Sequence, residues 1–475
     1  MRRFIGVALL PLLLAGCSLG PKYKRPEFHP PTNYYTEQQS KENSVADLAW
    51  WDLFNDPVLQ GLVREALAKN YDLQLAVSRV EHERALLGVT KSQYYPEVDY
   101  GASVFGAESE IPPIANHTYY SYNLSTIWEI DLFGRIRKLN EAQRASYFSS
   151  EEARRDVRLL VLSDVAQGYF QLRALDEQLE IAQHTVKNFQ DTVDLFQNKL
   201  QGGAASGLEV SRAQAALSNV AAIIPDLERQ IVAQENSLDL ILGRNPGPIE
   251  RGAKLVDQHD PPEIPAGLPA TLLERRPDLR EAEENLIQAN AEVGVAKANF
   301  FPTISLTAAF GGESPQLSEL TGAGKAWSVA GNMMGPLFTA GRLKNEYRAA
   351  LASRDEAQIT FEKAVTNAFG EVSNSLSAHQ QLAKAYVEQL RSVEAYRESV
   401  RLSLIRYDSG LSSYFEVVDS QVDLYPAESS SVNYDLGRKL ALVDLYRALG
   451  GGWNLTDAQW TSASGTPSST QTPTP

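Results

Sequence analysis

Residues 410–424 read GLSSYFEVVDSQVDL, and the chain says nearly the same thing 207 positions earlier. Gly203, Glu209, Val210, Gln214 and Leu217 return without a gap as Gly410, Glu416, Val417, Gln421 and Leu424. At the same spacing Gly134-Arg135 returns as Gly341-Arg342, and Leu242-Gly243 as Leu449-Gly450. Further upstream the shift is 206, pairing Leu67, Asp72, Leu73, Gly88, Val89, Lys91 and Pro96 with Leu273, Asp278, Leu279, Gly294, Val295, Lys297 and Pro302. Self-similarity at a fixed spacing marks a unit written twice. The copies are 57–245 and 271–453, joined by a Pro- and Gly-rich linker, 246–270.

Each copy changes its hydrophobic period in the same order. The first opens with a helical pattern over 57–94, with Pro57 suited to a first turn and Pro96 marking the stop. Residues 97–107 then alternate, Val98, Tyr100, Ala102 and Val104 against Asp99, Gly101 and Ser103. After a turn-rich segment, 118–133 puts Tyr120, Tyr122, Leu124, Thr126, Trp128 and Ile130 on one parity. Two-residue alternation of this length, with aromatics near the ends, reads as a membrane-crossing strand. From 134 to 200 the period becomes 3.5: Leu172, Leu175, Leu179, Ala182, Val186, Phe189, Val193, Phe196 and Leu200 form a heptad seam. Such a helix would reach about 100 Å. The break at 202–207 turns the chain into a return helix, 208–242. The second copy repeats this with a helix over 271–299, strands 302–312 and 325–338, a long helix 341–407 and a return helix 412–449. Its seam is interrupted by His379 and Arg397. Pro225 and Pro426 fall inside the predicted return helices, where a proline costs about 3 kcal/mol or more.

The ends read differently. Residues 1–16 carry Arg2-Arg3 and an apolar run, Phe4 to Leu14, too short to span a bilayer and shaped like a signal peptide. Leu14-Ala15-Gly16-Cys17, ending in the only cysteine, resembles the lipobox of bacterial lipoproteins. The resemblance implies lipidation at Cys17, and Ser18 after it implies sorting to the outer membrane. Residues 17–56 read as a lipid-anchored extended arm, and 454–475, rich in Thr, Ser and Pro, as a disordered tail. Net charge is -15, which argues against nucleic acid as a partner.

Beyond the leader the chain has no apolar run long enough for a transmembrane helix, so a membrane crossing must be made by strands closed into a barrel. Four strands cannot close, and open edges in lipid strand backbone groups at several kcal/mol each. Two chains give eight strands and a filled interior; three give twelve and a pore. A lone heptad pattern more often makes a solid bundle. Strands inserted between the helices favour a ring of long helices continuing the barrel as a tube.

Several ordered motifs carry a resemblance: Trp128 to Arg135 (WEIDLFGR), Gly335 to Arg342 (GPLFTAGR), Leu273 to Asp278 (LERRPD) and Ala448 to Trp453 (ALGGGW). They resemble the outer membrane factors of the TolC family, in the lipoprotein branch typified by OprM, from Cys17 to Trp453. The resemblance implies a membrane α+β fold, a trimeric 12-stranded β-barrel with four strands per chain, continued by a periplasmic α-helical barrel. It implies an exit duct of a tripartite efflux pump in the outer membrane. The implied partners are two further copies, outer-membrane lipid, a periplasmic adaptor and an inner-membrane pump of the resistance-nodulation-division class. It places a periplasmic gate at Phe415 and Asp419, with Val422 where OprM-like members carry an arginine. It makes the hairpin tips, Gly202, Gly203, Gly207, Gly410 and Leu411, the adaptor contacts. On residues alone, the favoured reading makes Asp419 a solvated helix residue, Phe415 a seam residue and the glycines turn punctuation; only the resemblance raises the gate above it.

The six histidines show no metal-ligand spacing, and there is no phosphate loop or nucleophile elbow, so neither a cofactor nor an enzymatic activity is expected. Three methionines speak weakly against a soft-metal exporter. Two alternatives stay open: a channel for type I protein secretion, and a periplasmic coiled coil that is no channel.

Overall fold

The computed structural model describes residues 19–28, 44–107, 117–258, 269–322 and 324–461. The leader, Cys17, most of the arm, the turn-rich segment after the first strand, part of the linker and 462–475 lie outside the described residues.

In chain order the elements are α1 (Trp50–Leu53), α2 (Pro57–Lys69), α3 (Tyr71–Ser92), β1 (Glu97–Ala107), β2 (His117–Ile130), α4 (Arg135–Gln201), α5 (Gly207–Ala221) and α6 (Ile223–Leu242). The second copy gives α7 (Leu272–Arg275), α8 (Pro277–Ala298), β3 (Thr303–Ser314), β4 (Lys325–Met334), α9 (Arg342–Asp408) and α10 (Phe415–Ala448), and α11 (Asp457–Thr461) follows. The two long helices are each 67 residues, in the same register of the repeat.

Single helices expected over 57–94 and 271–299 are instead broken, at Asn70 and Arg276, which are repeat mates. Both residues are extended (ψ 131 and 121) and reach to equivalent carbonyls. Asn70 Nδ2 donates to Ile241 O at 2.8 Å, and Arg276 Nη1 to Ala448 O at 2.9 Å. Asn70 Oδ1 also accepts from Leu73 N, capping the helix it starts. The return helix of the first copy is broken at Ala222, which puts Pro225 in the first turn of α6, where its missing N–H costs nothing. Pro426 stays inside α10. β4 stops at Met334, short of the expected 338, because Gly335-Pro336 cannot continue a ladder. The tail is ordered further than its composition suggests: α11 is held by Asp457, which pairs with Arg158 (2.5 Å) and Arg154 (2.9 Å), and by Trp460, buried under the Arg158 guanidinium.

The chain packs as two compact units, each drawing on both copies. One comprises Met1–Phe28, Ser78–Ala153 and Asp278–Ala364; the other His29–Val77, Arg154–Pro277 and Val365–Pro475.

The first unit holds one antiparallel sheet in the order β1-β2-β3-β4. Its register aligns the apolar parity of every strand: Tyr100 faces Leu124, Leu124 faces Phe310, and Phe310 faces Trp327. These side chains are 89%, 52%, 53% and 76% exposed, an apolar face with no cover in the single chain. The neighbouring row, Asp99, Ser125, Ala309 and Ser328, belongs to the opposite, polar face. Residues 19–28 lie along α8: Leu19 N donates to Phe133 O (3.3 Å), Asn290 to Pro21 O (3.2 Å), and Tyr23 and Arg25 to Glu283 (2.9 and 2.7 Å).

The second unit is helical. One cluster of its core is formed by part of the predicted seam, Ala182, Phe189, Val193 and Phe196 of α4, closed by Ala213, Leu217 and Val220 of α5 and by Tyr414 and Val417. Leu200, the last seam residue, is 42% exposed.

Candidate functional site: the helix-hairpin tips and the sheet edges

The two hairpin turns are built alike. After α4, Gly203 takes φ 73, with Gly203 N bonded to Leu200 O (3.0 Å) and Ala204 N to Lys199 O (2.7 Å). After α9, Gly410 takes φ 69, with Gly410 N bonded to Tyr407 O (2.9 Å) and Leu411 N to Arg406 O (2.9 Å). This is the left-handed helix stop that glycine makes cheap. The restarts differ. Ser206 caps α5 through a box with Glu209, whose carboxylate takes the Ser206 N–H at 2.7 Å. In the second copy Glu416 instead pairs with Arg406 at 3.1 Å. Gly202, Gly203, Gly207, Gly410 and Leu411 are all exposed.

An aromatic clasp fixes the start of α10. Tyr414, buried, sits edge-on to Phe196 (4.4 Å) and Tyr407 (4.7 Å), and its hydroxyl shares a 3.0 Å hydrogen bond with Thr192. Burial pushes the Tyr414 hydroxyl above its ordinary pKa, so it stays neutral. Lys199 lies over the Tyr407 ring and bonds its hydroxyl.

Because Tyr414 and Val417 point into the core, Phe415, Asp419 and Val422 share the outer face of α10, at i, i+4 and i+7. All three are exposed, Phe415 by 55% and Val422 by 47%. They border a groove of about 590 Å³ whose other wall includes Leu208, Arg212 and Ala216 of α5. The Arg212 guanidinium lies 5.1 Å from the centre of the Phe415 ring. Arg212 is not among the residues the sequence reading singled out. The repeat register, which pairs it with Asp419, carried the signal.

Among the described residues no helix is long and apolar enough to cross a membrane, and no cluster of ligating side chains is spaced for a metal ion. What the first unit offers a bilayer is its sheet. Among the described residues β1 and β4 each pair on one side only, and the apolar face is continuous between them. This is one stave of a transmembrane β-barrel, so the fold defines a subunit of a membrane channel.

The comparisons agree with that class. The chain matches the outer membrane efflux protein family over residues 62–244 and 268–451, the two copies of the repeat, and it belongs to that family. It is 34% identical over 459 residues to the solvent efflux pump outer membrane protein SrpC of Pseudomonas putida, covering 94% of this chain and 97% of that protein. It is 33% identical over 454 residues to a probable outer membrane lipoprotein, SilC, of Salmonella typhimurium, covering 93% and 97%. Among solved structures it superposes on the open state of the MtrE outer membrane channel of Neisseria gonorrhoeae with a TM-score of 0.85 at 31% identity, covering 92% of this chain and 99% of that one. The chain is therefore an outer-membrane component of an efflux pump, a channel with the α+β fold of its family.

Proposed function

We propose that three copies of this chain form a passive exit duct, which carries small molecules from a periplasmic adaptor and an inner-membrane pump of the resistance-nodulation-division class to the exterior. The observation that carries this reading is the four-stranded sheet, amphipathic across its width and, among the described residues, unpaired at both edges. β1 of one copy completes β4 of the next, and repetition about a three-fold axis closes twelve strands, the smallest multiple with room for a pore. The duct performs no reaction of its own, and the pump supplies the energy. SrpC is named for solvents; for this chain we propose small molecules as the class of cargo.

Three parts of the chain take further roles in this reading. Cys17 is the lipid anchor. Its support is that Leu19, two residues on and hence within about 7 Å of chain reach, is bonded to Phe133 just past the end of β2. The exposed turns at Gly202, Gly203, Gly207, Gly410 and Leu411 meet the adaptor. Phe415 and Asp419 form the periplasmic gate, since three-fold symmetry brings three copies of their shared face to one axis. There the phenyl rings narrow the passage and the carboxylates favour cations over anions.

Planar-bilayer recording tests this. The full chain is expected to give a small, cation-preferring conductance, and Asp419→Ala to raise it and reduce the preference. No conductance above the bare bilayer contradicts the duct; a variant indistinguishable from the wild type removes Asp419 from the gate.

A further inference from the structure

We propose that Arg212 is the counter-charge of Asp419, so that the closed gate is a ring of alternating cations and anions. This rests on the reading of Phe415 and Asp419 as gate residues.

The first support is the register of the repeat. The shift that equates Glu209 with Glu416 and Val210 with Val417 also equates Leu208 with Phe415 and Arg212 with Asp419. One protomer therefore presents two homologous helix faces, one bearing a cation and the other an anion. Around a three-fold axis the two kinds of hairpin alternate, and so do the charges.

The second is geometry within one protomer. Arg212 stacks 5.1 Å from the Phe415 ring, and the groove they share also holds Asp419. Phe415 and Asp419 are one turn apart, about 6 Å between their β-carbons. A long, flexible arginine resting on the ring is within a side-chain rotation of the carboxylate.

The third is what the neighbouring charges do. Glu209 is used to cap α5, and Glu416 pairs with Arg406. Arg212, with no ion pair to another described residue, keeps its charge available, and Val422 adds none to the shared face of α10. Three like charges meeting on an axis repel one another. A guanidinium between each pair offsets that repulsion, so the ring can close.

The test uses the full chain in planar bilayers, at equal oligomer content, with Arg212→Ala, Arg212→Lys, Asp419→Ala, Phe415→Ala and the exchange Arg212→Asp with Asp419→Arg. Loss of exposed ion pairs and ring contacts of this kind predicts that Arg212→Ala raises closed-state conductance about two- to five-fold and strengthens cation preference. Asp419→Ala raises conductance but weakens cation preference. The exchange, which keeps the alternation and reverses its order, is expected to return conductance close to the wild type. Arg212→Lys, which keeps the charge and loses the planar stack, is expected to fall between. If Arg212→Ala leaves conductance and reversal potential unchanged while Asp419→Ala alters them, Arg212 is no part of a gate that itself stands. An exchange as leaky as the single variants overturns the counter-charge equally. If neither Asp419→Ala nor Phe415→Ala changes the channel, the gate reading falls and this inference with it.

Discussion

Asp56 shows how one side chain joins segments far apart in sequence. Only 1% exposed, it caps α2 through Val58 N (2.8 Å) and Leu59 N (3.4 Å). Its other oxygen takes hydrogen bonds from Tyr169 (2.9 Å), Ala253 N (3.2 Å) and Gln258 (2.8 Å). Asp56→Ala would leave several buried donors without an acceptor. We expect a loss of about 3 kcal/mol or more, read as a lowered thermal midpoint of the detergent-solubilised protein; an unchanged midpoint would show that water replaces the carboxylate. At the other end of the residue scale, Cys17→Ser should abolish incorporation of labelled fatty acid, and persistent labelling would put the anchor elsewhere. The sequence pointed to Phe415 and Asp419 only through family resemblance, because an exposed Asp and Phe on a helix have no pattern of their own. Arg212 was legible in principle, through the repeat, but an isolated arginine on a helix face reads as solvated.

At the scale of elements, periodicity carried most of the fold. The strands were legible because a membrane-facing sheet must alternate on every strand, and the register brings Tyr100, Leu124, Phe310 and Trp327 into one row. The seam from Leu172 to Phe196 was legible because a 3.5-residue period has few other uses. Breaks were not: Asn70, Arg276 and Ala222 interrupt helices whose hydrophobic period continues through them, the first two by reaching carbonyls distant in sequence. α11 was missed because a five-residue helix has too few turns to show a period. Its docking should depend on pH. Burial alone would raise the Asp457 carboxyl, but the guanidinium groups of Arg158 and Arg154 outweigh it and hold the group below the ordinary value. The docked state then binds fewer protons than the released one. Docking is stable above about pH 4 and weakens as pH falls through the depressed value. Amide exchange at 457–461 should lose protection there while α4 keeps its own; protection unchanged down to pH 2–3 would assign the docking to Trp460 and Arg158 alone.

At the scale of the whole molecule, one duplicated unit explains both the equal long helices and the matching turns at the two hairpin tips. Duplication also doubles two strands to four, which leaves the sheet open at β1 and β4. The account's central claim is that these edges are closed by other copies of the chain. Native mass spectrometry of the full-length protein, extracted from membranes in mild detergent, tests it most directly. We predict a single assembly of three chains that persists on dilution. A monomer with β1 and β4 unprotected in amide exchange, or a stable assembly of two, would contradict it.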